Sequence, residues 1–252
     1  MLLKVTAMIT TDQGGDRKRA MVIECIGLPG SGKTYLMELV GKELRRREVD
    51  YVNVSANLRN RISWKILRKI VRAAIYLSAD ARWLRDRLMK ILGEEGELHS
   101  SFGVCENEKN AVRSAAVYSF VYRRMVRSPR IYLFDEGLVQ ALVKFCADFR
   151  ISDGTFRKMV TASEQGVRSS RLVIFNETSM EDSLASVKDT DRRAGASGGP
   201  DGEKLTQILE EYVRLNEVYR NSFNVLEIRK EDDKRRKLSR VFGRIRQILS
   251  NT

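Results

Sequence analysis

Five short apolar runs punctuate the chain, and polar stretches with helical periodicity fill the intervals between them. Met21-Val22-Ile23-Glu24-Cys25-Ile26 carries β-branched residues, stops at a glycine and reads as a buried strand. Tyr51-Val52-Asn53-Val54, Ile131-Tyr132-Leu133-Phe134, Leu172-Val173-Ile174-Phe175 and Val225-Leu226-Glu227-Ile228 read as four more. Helical spacing covers 33–47, where Leu36, Leu39, Val40 and Leu44 share a face. It returns over 60–93, 106–127, 138–150, 152–166, 180–193, 203–221 and 233–249. Strands alternating with helices predict an α/β fold with a mostly parallel sheet covered on both faces.

Two stretches interrupt the rhythm. The first is a long helical insertion, about 56–127, between the second and third strands. The second runs from Arg192-Arg193 through Ala194-Gly195-Ala196-Ser197-Gly198-Gly199-Pro200-Asp201-Gly202. Its glycines predict a mobile loop headed by two arginines. Residues 1–20 read as a flexible arm, because Thr11-Asp12-Gln13-Gly14-Gly15-Asp16 offers nothing to bury. Residues 21–252 read as one domain.

Composition narrows the class. With 42% hydrophobic and 31% charged residues, a packed core is expected and global disorder is not. The 46 Lys and Arg against 33 Asp and Glu give a net charge of +13, which favours anionic partners. Cys25, Cys105 and Cys146 lack metal-ligand spacing, and His99 is the single histidine, so a His-based metal site is not expected. This cysteine usage suits a reduced, cytoplasmic setting. No run approaches the roughly 18 apolar residues of a membrane span. The opening MLLKVTAMITTDQGGDRKRAMVIE lacks a basic stretch before a long apolar core, so no signal peptide is expected.

The chemistry concentrates in Gly27-Leu28-Pro29-Gly30-Ser31-Gly32-Lys33-Thr34, which lies between the first strand and the first helix. Glycines there let successive backbone N–H groups of the loop, Ser31 included, turn inward to phosphate oxygens. The following helix adds the positive end of its dipole. Lys33 supplies an ammonium to the outer phosphates of ATP or GTP, and the Thr34 hydroxyl is a Mg²⁺ ligand. A partner signal lies at the end of the third strand, where four apolar residues run into Asp135 and Glu136. Carboxylates at that strand end are costly unless a cation or solvent receives them. Asp135 is the expected Mg²⁺ partner, and Glu136 the group that orients or deprotonates a nucleophile.

These parts, in this order, resemble the P-loop kinases of nucleosides and nucleotides, the thymidylate kinase and deoxynucleoside kinase group. The resemblance spans about 21–250. It includes the GLPGSGKT loop, the acid-terminated third strand, the strand RLVIFN, the basic Lys188-Asp189-Thr190-Asp191-Arg192-Arg193 stretch, and the strand VLEIRK with its terminal helix. It implies a three-layer P-loop fold with strand order 2-3-1-4-5. It also implies a lid at about 188–202, whose Arg192 and Arg193 close over the transferring phosphoryl group. Two positions depart from that group's pattern. Glu136 stands where an arginine is usual, and Ser55-Ala56-Asn57 follows the second strand where deoxynucleoside kinases place a glutamate. The donor site carries over and the acceptor stays open among nucleoside, nucleotide, sugar and larger molecules.

Residues 59–90 add Arg59, Arg61, Lys65, Arg68, Lys69, Arg72, Arg82, Arg85, Arg87 and Lys90 around apolar positions at helical spacing. Such helices suit a cap over the acceptor pocket, an anionic membrane surface or nucleic acid. The sequence therefore predicts an ATP-dependent, Mg²⁺-dependent kinase of an unidentified small molecule. A regulatory ATPase or GTPase, and a kinase of polynucleotide 5′ ends, are the alternatives.

Overall fold

Alternation along the strands builds three layers. The computed structural model describes residues 20–54, 78–94, 106–125, 128–165, 171–193 and 202–250. Within them, β1 (Met21–Ile26), β2 (Tyr51–Asn53), β3 (Ile131–Phe134), β4 (Arg171–Asn176) and β5 (Leu226–Ile228) form one sheet in the order β2-β3-β1-β4-β5. Every pairing is parallel, with Ile23 opposite Leu133 on one side and Leu172 on the other. This is the three-layer α/β P-loop fold, with the strand order that the resemblance implies.

Odd positions of β1 (Met21, Ile23, Cys25) join Leu133, Leu172 and Ile174 in a core against α1 (Lys33–Arg46) and the C-terminal helix. Even positions Val22 and Ile26 join Phe134, Val173 and Phe175 on the opposite face. There they pack against α2 (Ala79–Glu94), α3 (Glu106–Met125), α4 (Leu138–Asp148) and α5 (Asp153–Glu164). Buried on both faces, these strands are mostly apolar rather than alternating with polar residues, which is why they were conspicuous in the sequence. Glu24, Arg171 and Asn176 are buried exceptions. Fully burying side chains of this size contributes about 1.5–3 kcal/mol each.

The remaining helices are α6 (Met180–Arg193), α7 (Gly202–Ser222) and α8 (Lys234–Ser250). α7 buries Leu209, Tyr212, Leu215 and Tyr219 beside α4, whereas α8 buries Val241, Phe242 and Ile245 beside α1. No helix among the described residues is long and apolar enough to cross a membrane. The expected N-terminal arm, the first part of the basic 59–90 stretch and the loop at 194–201 lie outside the described residues.

Candidate functional site

The glycine loop leaves the end of β1, the central strand, and opens between the carboxyl ends of β3 and β4. Open α/β sheets bind ligands at this place. Gly27 has φ 140°, and a Cβ there would lie 2.6 Å from the Asn176 carbonyl oxygen, so both conformation and space require glycine. Gly30, at φ 74°, faces Ser186 of α6, where a Cβ would meet the serine side chain at 2.4 Å. α6 thus lies directly on the loop's crown. Ser183 Oγ donates to the Pro29 carbonyl at 2.7 Å, and the Asn176 side-chain amide donates to the Ser31 carbonyl.

Lys33 is buried under this loop. Its Nζ donates to the carbonyls of Gly27 at 3.1 Å and Leu28 at 2.9 Å. An ammonium has three protons, so this geometry leaves one N–H for a phosphate oxygen. Burial pulls its pKa below the ordinary lysine value, and the Glu136 and Asp135 carboxylates nearby oppose that shift. Thr34 Oγ1 donates to Asp135 Oδ2 at 2.7 Å, which joins the first turn of α1 to the end of β3. Asp135 is buried and Glu136 beside it is exposed.

Loop residues 29–34, with Tyr35, Glu38, Glu136, Ser186 and Val187, line a cleft of about 570 Å³. Gly27 anchors the loop behind that cleft, Gly30, Ser31, Gly32, Lys33, Thr34 and Glu136 line it, and Asp135 joins them through its bond with Thr34. Arg192 and Arg193 end α6, the helix whose Ser186 and Val187 form the cleft wall, but their side chains lie outside the described residues.

Several residues at the site had no sequence signal. Asn176 was the tail of an apolar strand, and Ser183 and Ser186 sat in the 180–193 helix, of which only the basic end was singled out. Their roles come from packing α6 on the loop, and Ser183 reaches Pro29 across 154 positions of chain. A second group is centred on Glu24, which accepts from the Tyr122 hydroxyl and from the Gln140 backbone N–H.

No protein-family model and no curated protein matches the chain. Among solved structures it is similar to deoxyadenosine kinase from M. mycoides with bound dCTP, at 12% identity, covering 90% of this chain and 100% of that one, with a TM-score of 0.46. It is also similar to deoxyadenosine kinase from M. mycoides with bound dATP, at 11% identity, 90% and 99% coverage and a TM-score of 0.47.

Proposed function

We propose that this chain is a P-loop phosphotransferase that moves the γ-phosphoryl group of ATP to a small-molecule hydroxyl or phosphate. The observation that carries the reading is the bonded pair Thr34–Asp135 set beside Lys33 and the exposed Glu136 on one cleft. Loop N–H groups and the N-terminus of α1 receive the β- and γ-phosphate oxygens, and Lys33 adds a charge-assisted contact. The Thr34 hydroxyl and the Asp135 carboxylate are hard oxygen donors side by side. They fit Mg²⁺, which takes one or two protein oxygens and completes its shell with phosphate and water. When bound, Mg²⁺ neutralises charge that builds on the phosphates during transfer.

Where the acceptor is a hydroxyl, its proton passes to Glu136 as its oxygen bonds to the γ-phosphorus. The bond from that phosphorus to the bridging oxygen breaks, and ADP leaves. Arg192 and Arg193, at the end of the helix that walls the cleft, act as lid groups that neutralise the equatorial oxygens.

The exposure of Glu136 equally suits orientation of a water, which is the ATPase reading. Incubation with γ-labelled ATP across nucleosides, nucleotides, sugars and oligonucleotides, with phosphate release measured in parallel, separates the two. Labelled acceptor supports the transferase. Brisk release indifferent to every acceptor rejects it.

A further inference from the structure

Glu24 is a carboxylate in the middle of an otherwise apolar strand, with 0% exposure. Strand parity turns it toward the α3 and α4 layer, and its bonds follow. Oε1 accepts the N–H of Val139 at 2.7 Å and of Gln140 at 3.1 Å, and Oε2 accepts the Tyr122 hydroxyl at 3.0 Å. The Tyr122 hydroxyl in turn accepts the Leu138 N–H at 3.2 Å. Three successive N–H groups that begin α4 are thus satisfied by side chains of β1 and α3, while Gly137, its N-cap, offers no side-chain cap. The turn fixed in this way is Asp135-Glu136-Gly137.

Gln140 extends the chain of bonds to the other half of the site. Its Oε1 accepts the Gly27 N–H at 3.2 Å, and Gly27 is the residue whose carbonyl holds Lys33. Gln140 is 6% exposed on a helix whose other buried residues (Leu138, Val139, Leu142, Val143, Phe145) are apolar. A buried carboxamide is costly unless bonded, and this one bonds to the phosphate loop. An unbroken path therefore runs from the Lys33 ammonium through Gly27 and Gln140 to Glu24 and the start of α4.

We propose that Gln140 is a positioning residue: its one side chain sets the phosphate loop against the Asp135–Glu136 turn, so that donor and acceptor groups keep a fixed separation. The proposal rests on the phosphotransferase reading of the cleft. A displacement of about 1 Å between reacting groups lowers a rate by up to about 10²-fold, so the link acts on turnover more than on affinity.

The test compares Gln140→Met, which keeps length but cannot accept the Gly27 N–H well, with Gln140→Glu, which keeps an acceptor. Amide exchange at Gly27 is followed without nucleotide, ATP·Mg²⁺ affinity by calorimetry, transfer or phosphate release by label, and melting as a control. Gln140→Met is expected to speed Gly27 exchange by about tenfold or more. It should lower turnover by about tenfold or more while changing affinity by less than about threefold. Gln140→Glu should restore the protection of Gly27. Unchanged Gly27 exchange in Gln140→Met overturns the proposal, as does normal turnover despite a lowered melting point. A wild-type chain without transfer or phosphate release would sink the phosphotransferase reading, and the Gly27 exchange rates would still decide whether Gln140 holds the loop.

Discussion

Thr34 and Asp135 lie 101 positions apart in the chain, and the hydroxyl of the first donates to the carboxylate of the second at 2.7 Å. The bond ties the helix that begins at the phosphate loop to the neighbouring strand. It also sets two oxygen donors side by side at the edge of the cleft. Local sequence cannot enforce such a pairing; the parallel register of β1 with β3 does.

If this pair serves Mg²⁺, Asp135→Asn should raise the Mg²⁺ concentration needed for half-maximal turnover, with excess Mg²⁺ restoring part of the rate. Titrating Mg²⁺ at fixed ATP checks it. A wild-type Mg²⁺ dependence in the variant would leave Asp135 a purely structural partner of Thr34.

Glu136 is exposed beside that buried pair. Glu136→Gln should bind ATP·Mg²⁺ like the wild type and lose about 10²–10⁴-fold in rate, because it removes a proton acceptor without removing a phosphate contact. Parallel calorimetry and turnover measurements distinguish this from a binding role, in which affinity would fall with the rate.

Gly137 is held by close approach. A Cβ there would lie 1.9 Å from the Tyr122 hydroxyl oxygen and 2.7 Å from the Glu24 carboxyl carbon. Gly137→Ala should cost about 1–3 kcal/mol or more of stability through overpacking. That corresponds to a melting point lower by about 2–4 °C per kcal/mol. Gly154→Ala is the control, since a Cβ at that helical position meets nothing within 4 Å and should be neutral or stabilising. Equal melting points for the two variants would contradict this packing.

Burial pushes the Glu24 carboxyl above its ordinary 4.5, against the opposing pull of Arg171, the Gln140 and Val139 N–H groups and the Tyr122 hydroxyl. A raised folded-state pKa contributes stability that is fully present below about 4.5 and is lost as pH rises through the folded value. Glu24→Gln does not titrate. The melting-point difference, wild type minus Glu24→Gln, should therefore shrink between about pH 4 and pH 8. A difference that grows over that window would mean that the N–H and hydroxyl donors outweigh burial.

The sequence displayed what is local. Strands buried on both faces stand out as apolar runs, so β1 and β3 fall where the pattern places them, β2 and β5 are each one residue shorter at one end, and β4 extends one residue further at both ends. The glycine loop and the Asp135–Glu136 pair were legible because their chemistry needs particular residues at fixed spacing. Glu24 was hidden inside an apolar run. Its partners Val139 and Gln140 come from helix α4, 115 and 116 positions away. Gln140 looked like one polar residue in a helical pattern until the sheet brought it under Gly27. The contact of Ser186 with Gly30 likewise exists only because α6 folds back over the loop.

The most direct test of the central claim is calorimetric titration of ATP·Mg²⁺ into the wild-type chain and into Lys33→Ala. Lys33 is 7% exposed, lines the cleft, and its ammonium donates to the Gly27 and Leu28 carbonyls of the loop. A charge-assisted contact of this kind contributes about 1.5–3 kcal/mol, so the wild type should bind and the variant should bind roughly 10- to 150-fold more weakly. Equal affinity in the two proteins, or no binding by the wild type, would contradict the reading of this cleft as a nucleotide-phosphate site.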